Sequence, residues 1–360
     1  MPTVKLVKNL KELCFLNYFL KLLSLFKILP ALEFYNSIRF GDIISRIMGI
    51  SKSKTALVTG ANGFIGTNLI KLLLNKNFKV HALVRKNADL LKIESFKKNI
   101  RIHEGDIRDQ KFLNKIIKNI NPDYIFHFAA YGNSSIDANL DEMINVNIVG
   151  LKNLLQATLN INYKAFVITG SSSEYGFKKK PMKESNILEP NSFYSATKAA
   201  ATLLAQSFAT INSKPVRIVR PFSVYGPFEE KNRLVPIVIN SAMNNKQIFV
   251  TPGKVKRDFI YVEDVVEAIL KVAKTKLKNG EIINLGTGIQ TDNKEVVKII
   301  GKIMGKKLNV KVGNFVQKPW DTNYWVADRS KAQKLLNWKP KYTLESGLRE
   351  TITFYKKNNE

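Results

Sequence analysis

The chain has 360 residues, 45% hydrophobic and 24% charged, which excludes a disordered polymer and suffices for one large or two smaller domains with a buried core. Lys and Arg number 57 against 29 Asp and Glu, and the net charge of +28 points to an anionic partner, such as a nucleotide or a membrane surface, or to solvated lysines. The basic residues never run five together, which argues against nucleic acid, and the single cysteine, Cys14, excludes an intrachain disulfide and fits a reducing cytoplasm.

Residues 1–53 form an apolar, basic extension ending in a linker at Ile50–Lys54. Leu10–Leu29 is interrupted by Lys11, Glu12, Lys21 and Lys27, so it falls short of the ~20 nearly uncharged residues of a spanning helix. Wound as a helix, it puts Asn17, Lys21, Ser24 and Lys27 on one side and Phe15, Leu22, Phe26 and Leu29 on the other. That pattern suits peripheral contact with an anionic membrane, and equally a helix packed on the rest of the chain or on a second subunit.

From Lys54 short apolar runs alternate with helical patterns. Strands are predicted at Thr55–Thr59, Lys79–Val84, Ile100–His103, Tyr124–Phe128, Ala165–Thr169 and Val216–Val219. Helices are predicted around Thr67–Leu74, Phe112–Asn119, Met143–Asn160 and Ser195–Thr210. Buried runs alternating with helices predict an α/β fold, a doubly wound parallel sheet of the Rossmann type over residues 54–226. Beyond Gly226 the alternation loosens, and residues 227–360 are expected to form mainly a smaller C-terminal substrate-binding lobe. His81, His103 and His127 lie in or beside strands without ligand-like spacing, so no metal site is expected.

Thr59–Gly66, TGANGFIG, follows the first strand and opens a helix. Its glycines permit a tight turn and close approach to a pyrophosphate, which the helix N-terminus attracts. After the second strand come Arg85 and Lys86, with no acid between Phe78 and Ala88. An acid there would bind a ribose 2′-hydroxyl; a basic group accepts a 2′-phosphate, so the cofactor is NAD or NADP, leaning to NADP. Asp106 and Ile107 after the third strand suit the adenine, and Phe128, Ala129 and Ala130 after the fourth leave room for the cofactor backbone.

Tyr194 and Lys198 are spaced i, i+4 and share a helical face. The lysine ammonium, with a cationic nicotinamide, favours the phenolate and would lower a phenol pKa of about 10. Tyr194 then removes a hydroxyl proton while hydride leaves the same carbon. Ser171, beyond the end of the fifth strand, would bond the same oxygen.

These motifs occur in order with GDIRD (Gly105–Asp109), HFAA (His127–Ala130), NVNIVG (Asn145–Gly150), SSSEYG (Ser171–Gly176), RPFSVYGP (Arg220–Pro227), RDFIYVEDVVEA (Arg257–Ala268) and WVADRSKAQKLLNWKP (Trp325–Pro340). Together they resemble an extended short-chain dehydrogenase/reductase of the NAD-dependent epimerase/dehydratase family, which modifies nucleotide sugars. The resemblance implies that Ser171, Tyr194 and Lys198 are catalytic, with Asn145 organising them. It implies cofactor contacts from Gly60, Gly63, Phe64, Ile65, Gly66, Arg85, Asp106, Ile107, Phe128–Ala130, Tyr194 and Lys198. Substrate contacts are implied at Ser172, Ser173, Ser223, Arg257, Lys318 and Asp321; Arg233, Lys254 and Lys256 are weaker candidates. A homodimer is implied by resemblance alone.

Members that remove water carry two acids after the catalytic hydroxyl. Here Ser172 and Ser173 stand in those places, with Glu174 one residue on, where strand alternation would turn it away. Epimerisation, at C4 of the sugar, is therefore the first expectation: Tyr194 takes the hydroxyl proton, C4 gives up hydride, the keto sugar rotates and hydride returns to its other face. An NADPH-dependent keto-sugar reductase is the alternative. A 4,6-dehydratase is disfavoured, and a non-catalytic dinucleotide-binding scaffold has no need of a phenol beside an ammonium.

Overall fold

Thr55–Thr59 is too short for periodicity to separate helix from strand, but its flanking glycine and β-branched content favour a strand. It forms β1, an interior strand of a seven-stranded sheet, in the computed structural model, which describes residues 53–132, 139–250, 255–313 and 322–358. The strands are β1, β2 (Lys79–Val84), β3 (Ile100–Glu104), β4 (Tyr124–His127), β5 (Ala165–Thr169), β6 (Val216–Pro221), β7 (Ser223–Tyr225), β8 (Ile248–Val250), β9 (Lys256–Arg257), β10 (Phe259–Tyr261), β11 (Glu281–Leu285), β12 (Thr291–Asp292) and β13 (Val310–Val312). The large sheet has the order β11-β6-β5-β4-β1-β2-β3, with every pairing parallel. This is the doubly wound order 3-2-1-4-5-6 with one strand added at the edge.

The helices are α1 (Phe64–Asn75), α2 (Gln110–Ile120), α3 (Leu140–Ile144), α4 (Leu151–Ala157), α5 (Phe193–Ile211), α6 (Leu234–Met243), α7 (Val262–Lys274), α8 (Asn293–Met304), α9 (Ser330–Leu336) and α10 (Leu344–Lys357). Side chains along β1 alternate between two cores. Ala56 and Val58 join Leu69, Ile70 and Leu73 of α1 and the apolar face of α7. Leu57 points the other way, toward Leu113 of α2, Leu154 of α4 and Ala201 of α5. Helices thus cover both faces of the sheet, and ligands are left its carboxyl end. Among the described residues no helix is long and apolar enough to cross a membrane.

Two boundaries differ from the prediction. Helix α1 starts at Phe64, not Thr67, because extended Gly63 serves as its N-cap and Gly66 lies within its first turn. A Cβ on Gly66 would stand 2.2 Å from the Gly60 carbonyl oxygen, so this glycine serves helix–strand packing. The division at residue 226 is crossed by β11, which pairs with β6, and by α7, which packs on the sheet; the apolar run Ile282–Leu285 covers an otherwise open edge. The extension of residues 1–52, Lys254, Lys318 and Asp321 lie outside the described residues.

Candidate active site

At the end of β1 the chain turns through Gly60, whose φ of +64° disfavours a side chain and whose Cβ would lie 2.6 Å from the Ala129 nitrogen. No side chain caps α1, so the amides of Phe64, Ile65 and Gly66 have no partner within the helix and the positive end of the dipole stays available. Phe128 and Ala129 are half-buried against this turn, and Ala130 is exposed beside it. A dinucleotide pyrophosphate fits this cradle of amides, which side chains would fill.

Exposed Arg85 closes β2. The Asp106 carboxyl is held below the usual carboxylate range, chiefly by hydrogen bonds from Arg108 and more weakly by Arg85, against desolvation. Asp106 therefore reaches an adenine only with Arg108 in attendance. Ile107 packs on Gly150, where a Cβ would approach its Cδ1 to 2.5 Å. Asn153 of α4 donates to the Ile107 and Arg108 carbonyls at 3.3 and 2.8 Å, fixing that loop.

Between α3 and α4 the backbone widens into a π-helical turn, Asn145–Gly150. Asn145 is on its exposed side and does not organise the site. The buried Asn147 does: its amide donates to the Tyr131 carbonyl and Thr197 Oγ1, each at 3.0 Å, and its oxygen accepts from the Tyr131 N–H at 2.9 Å. Thr197 Oγ1 in turn donates to the Tyr194 carbonyl at 2.9 Å, so Asn147 anchors the turn of α5 that carries Tyr194 and Lys198.

Ser192 caps α5 and starts it two residues before Tyr194. The Tyr194 phenol lies close enough to Ser171, which follows β5 and Gly170, for the serine hydroxyl to favour its ionised form. The Lys198 ammonium donates to the carbonyl of Thr169, at the end of β5. Three side chains from two elements thus meet at the carboxyl end of the sheet. Burial pushes the phenol up to about 12, Glu174 adding to the effect and Arg233 and Ser171 opposing it. Burial also brings Lys198 down to about 8, against the pull of Glu174. The expected lowering of the phenol is thus absent from the protein alone, because the ammonium is itself desolvated and turned to a carbonyl.

Ser171 opens a 3-10 turn, Ser172–Tyr175, rather than continuing as a strand. Ser173 Oγ lies 2.7 Å from Ser171 Oγ and stays beside it. Ser172 is buried and accepts from Trp325 Nε1 at 3.1 Å, so its hydroxyl faces a small apolar core rather than a substrate. Glu174 is fully buried, accepting from the Ser171 N–H at 2.7 Å and from Arg220 Nε and Nη2 at 2.8 and 2.7 Å. Ser223 lies on β7, beyond the end of β6, and Arg257 on β9 sits over the Trp325 ring, 5.4 Å from its centroid.

A family model described as GDP-mannose 4,6 dehydratase matches residues 57–351. The chain belongs to the NAD-dependent epimerase/dehydratase family of extended short-chain dehydrogenases/reductases. It is 30% identical over 318 residues to a UDP-glucuronate 4-epimerase of Thermodesulfobacterium geofontis, covering 84% of this chain and 97% of that one. It is 29% identical over 322 residues to a dTDP-D-glucose 4,6-dehydratase of Mus musculus, covering 86% and 90%. The crystal structure of a UDP-glucuronic acid 4-epimerase from Bacillus cereus, in complex with UDP-glucuronic acid and NAD, superposes with a TM-score of 0.76 at 28% identity, covering 84% and 99%.

In this member of the family two residues gain weight from the structure, Arg233 and Asn147. Arg233, the N-cap of α6, acts electrostatically on both the Tyr194 phenol and buried Glu229. Its sequence context, a lone arginine in a polar loop, ranks it only among the weaker candidates; its electrostatic action on Tyr194 raises it. Asn147 had a signal, since Met143, Asn147, Gly150, Leu151 and Leu154 share one helical face that Asn145 leaves.

Proposed function

We propose that the chain is a nucleotide-sugar epimerase inverting C4 of the sugar, with Tyr194 as acid/base. The observation carrying this reading is the placing of Ser171 near Tyr194 with no acid free beside them among the described residues: positions 172 and 173 are serines, and Glu174 is locked by Arg220. Elimination of water needs a second acid/base; inversion needs only one group that removes a hydroxyl proton and returns it. When bound, the nicotinamide supplies the hydride acceptor and donor together with a positive charge near the phenol. Gly60, Gly63, Phe64, Ile65 and Gly66 would hold its pyrophosphate, and Ile107 and Asp106 its adenosine. Ser171 orients the reacting oxygen, and Tyr194 moves its proton. Ser173, Ser223, Arg233 and Arg257 surround the substrate, the arginines suiting its diphosphate.

Arg85, with no acid beside it in the sequence at the end of β2, favours NADP, and that supports a keto-sugar reductase as the second reading. Leu140 and Ile144 on α3 and Phe193 and Leu203 on α5 expose apolar side chains, which supports pairing of two protomers. The enzyme is placed in the cytoplasm, with residues 1–53 as a peripheral membrane contact. The test is incubation with UDP-glucuronate, UDP-glucose and their keto derivatives, followed by product NMR and nicotinamide absorbance. Interconversion of C4 epimers without net absorbance change is expected. Loss of water from the sugar, or stoichiometric consumption of NADPH, would replace this reading.

A further inference from the structure

Because every strand of the large sheet is parallel, their amino ends share one edge, opposite the site. Six of the seven strands begin at or within three residues after a lysine: Lys54, Lys79, Lys98, Lys164, Lys214 and Lys278. Lys76, Lys118, Lys274 and Lys276, at or near the ends of helices that return to this edge, join them. All ten are exposed except the half-buried Lys214. The exceptional strand, β4, is preceded by Asp123, which pairs with Lys164 at 3.1 Å, and Glu281 pairs with Lys331 at 2.5 Å.

Helix dipoles account for part of this crowding. Five helices end here, each presenting about half a negative charge, which still leaves an excess of roughly five positive charges. Lys54 and Lys274 both lie over the Phe78 ring, 5.9 and 5.6 Å from its centroid. Desolvation, then repulsion from Lys54 and Lys76, holds the Lys274 ammonium below the usual lysine range. Like charges brought this close call for an external anion.

We propose that this edge docks on the anionic headgroups of a lipid bilayer, leaving the catalytic end of the sheet facing away from it. Three observations favour a bilayer over nucleic acid. The ten cations are all lysines, point charges without the planar fork that grips phosphates in pairs. They spread along a sheet edge rather than lining a groove. And the chain enters the edge at Lys54, at an interior strand, 25 residues after the end of an apolar stripe over residues 10–29. The inference adds a second, independent contact to the peripheral one read from residues 1–53 and does not depend on the reaction catalysed.

The test is co-sedimentation of the full chain with phosphatidylcholine vesicles with and without phosphatidylglycerol, over a salt series. Binding is expected only with phosphatidylglycerol, weakening as salt rises. A variant carrying Lys54→Gln, Lys79→Gln, Lys164→Gln and Lys274→Gln should bind on the order of 600-fold more weakly, each lysine near an anionic surface being worth about fivefold. Its thermal melting and cofactor binding should match the wild type, which verifies that it folds. Equal binding by wild type and variant overturns the basic edge while leaving the contact through residues 1–53 standing. Binding independent of phosphatidylglycerol, or lysine-dependent binding of duplex DNA without vesicle binding, overturns it too.

Discussion

Glu174 and Arg220 form a fully buried ion pair, Oε2 to Nη2 2.7 Å, immediately behind Ser171. The other carboxylate oxygen, Oε1, accepts the Ser171 N–H, so the pair sets the backbone that carries the hydroxyl. Arg220 also donates to the Tyr175 phenol at 2.9 Å, which donates to Asn284 of β11 at 2.7 Å. The residue nearest to a dehydratase acid in the sequence is thus a structural anion tying the site to the edge strand.

Glu174→Ala should leave Arg220 as an uncompensated buried charge and destabilise the fold by about 3–5 kcal/mol. Glu174→Gln keeps an acceptor for the Ser171 amide and should lose less. Denaturant titration of the two variants checks this order. Equal, small losses in both would mean that the pair does not hold this turn.

Tyr194→Phe should reduce turnover by about 10²–10⁴-fold, the usual worth of a positioned acid/base. Cofactor affinity should stay within a few-fold, since the ring and its packing persist. Single-turnover kinetics with a fluorescence titration of the cofactor separates the two effects. A variant that turns over at the wild-type rate would assign the proton transfer elsewhere.

Asn147→Ala removes three hydrogen bonds and leaves the buried Tyr131 and Thr197 groups short of partners, so a loss of about 1–3 kcal/mol and a disordered Tyr194 are expected. Asn145→Ala, on the exposed side, should change stability by no more than about 0.5 kcal/mol. Thermal melting and activity of both variants provide the comparison; a larger effect from Asn145 would reverse the assignment.

These two asparagines show where the sequence was legible. The strands β1, β2 and β5 follow from apolar runs bounded by turns, and the glycine turn and the Tyr194–Lys198 spacing are local patterns. Asn147 is equally local and becomes visible once helical phase is applied across residues 143–154. Ser172 was different. Its burial depends on Trp325, 153 residues away, and on a 3-10 turn where alternation predicted a strand. Strand β11 likewise covers an edge whose need for a partner no local pattern reveals.

Arg85→Ala should weaken NADP about ten- to a hundredfold, the worth of a charge-assisted contact to a phosphate, and leave NAD almost unchanged. Parallel titrations of the two cofactors supply the ratio. A proportional loss of both would make Arg85 a general electrostatic contributor, and no loss would return it to solvent.

Glu229 offers a pH test away from the reacting atoms. Its carboxyl is buried, one oxygen has no hydrogen-bond partner among the described residues, and burial raises it to about 8 despite Arg233. The unfolded chain releases this proton near 4.5, so between those values the folded state holds more protons than the unfolded one. Stability is then full below about 4.5 and falls as pH rises toward 8, by on the order of a few kcal/mol. Glu229→Gln, uncharged throughout, should match the wild type at acid pH and exceed it at pH near 8. Denaturant midpoints across that range decide the point: parallel curves for the two proteins would mean that Glu229 is ionised in the folded state, held by Arg233.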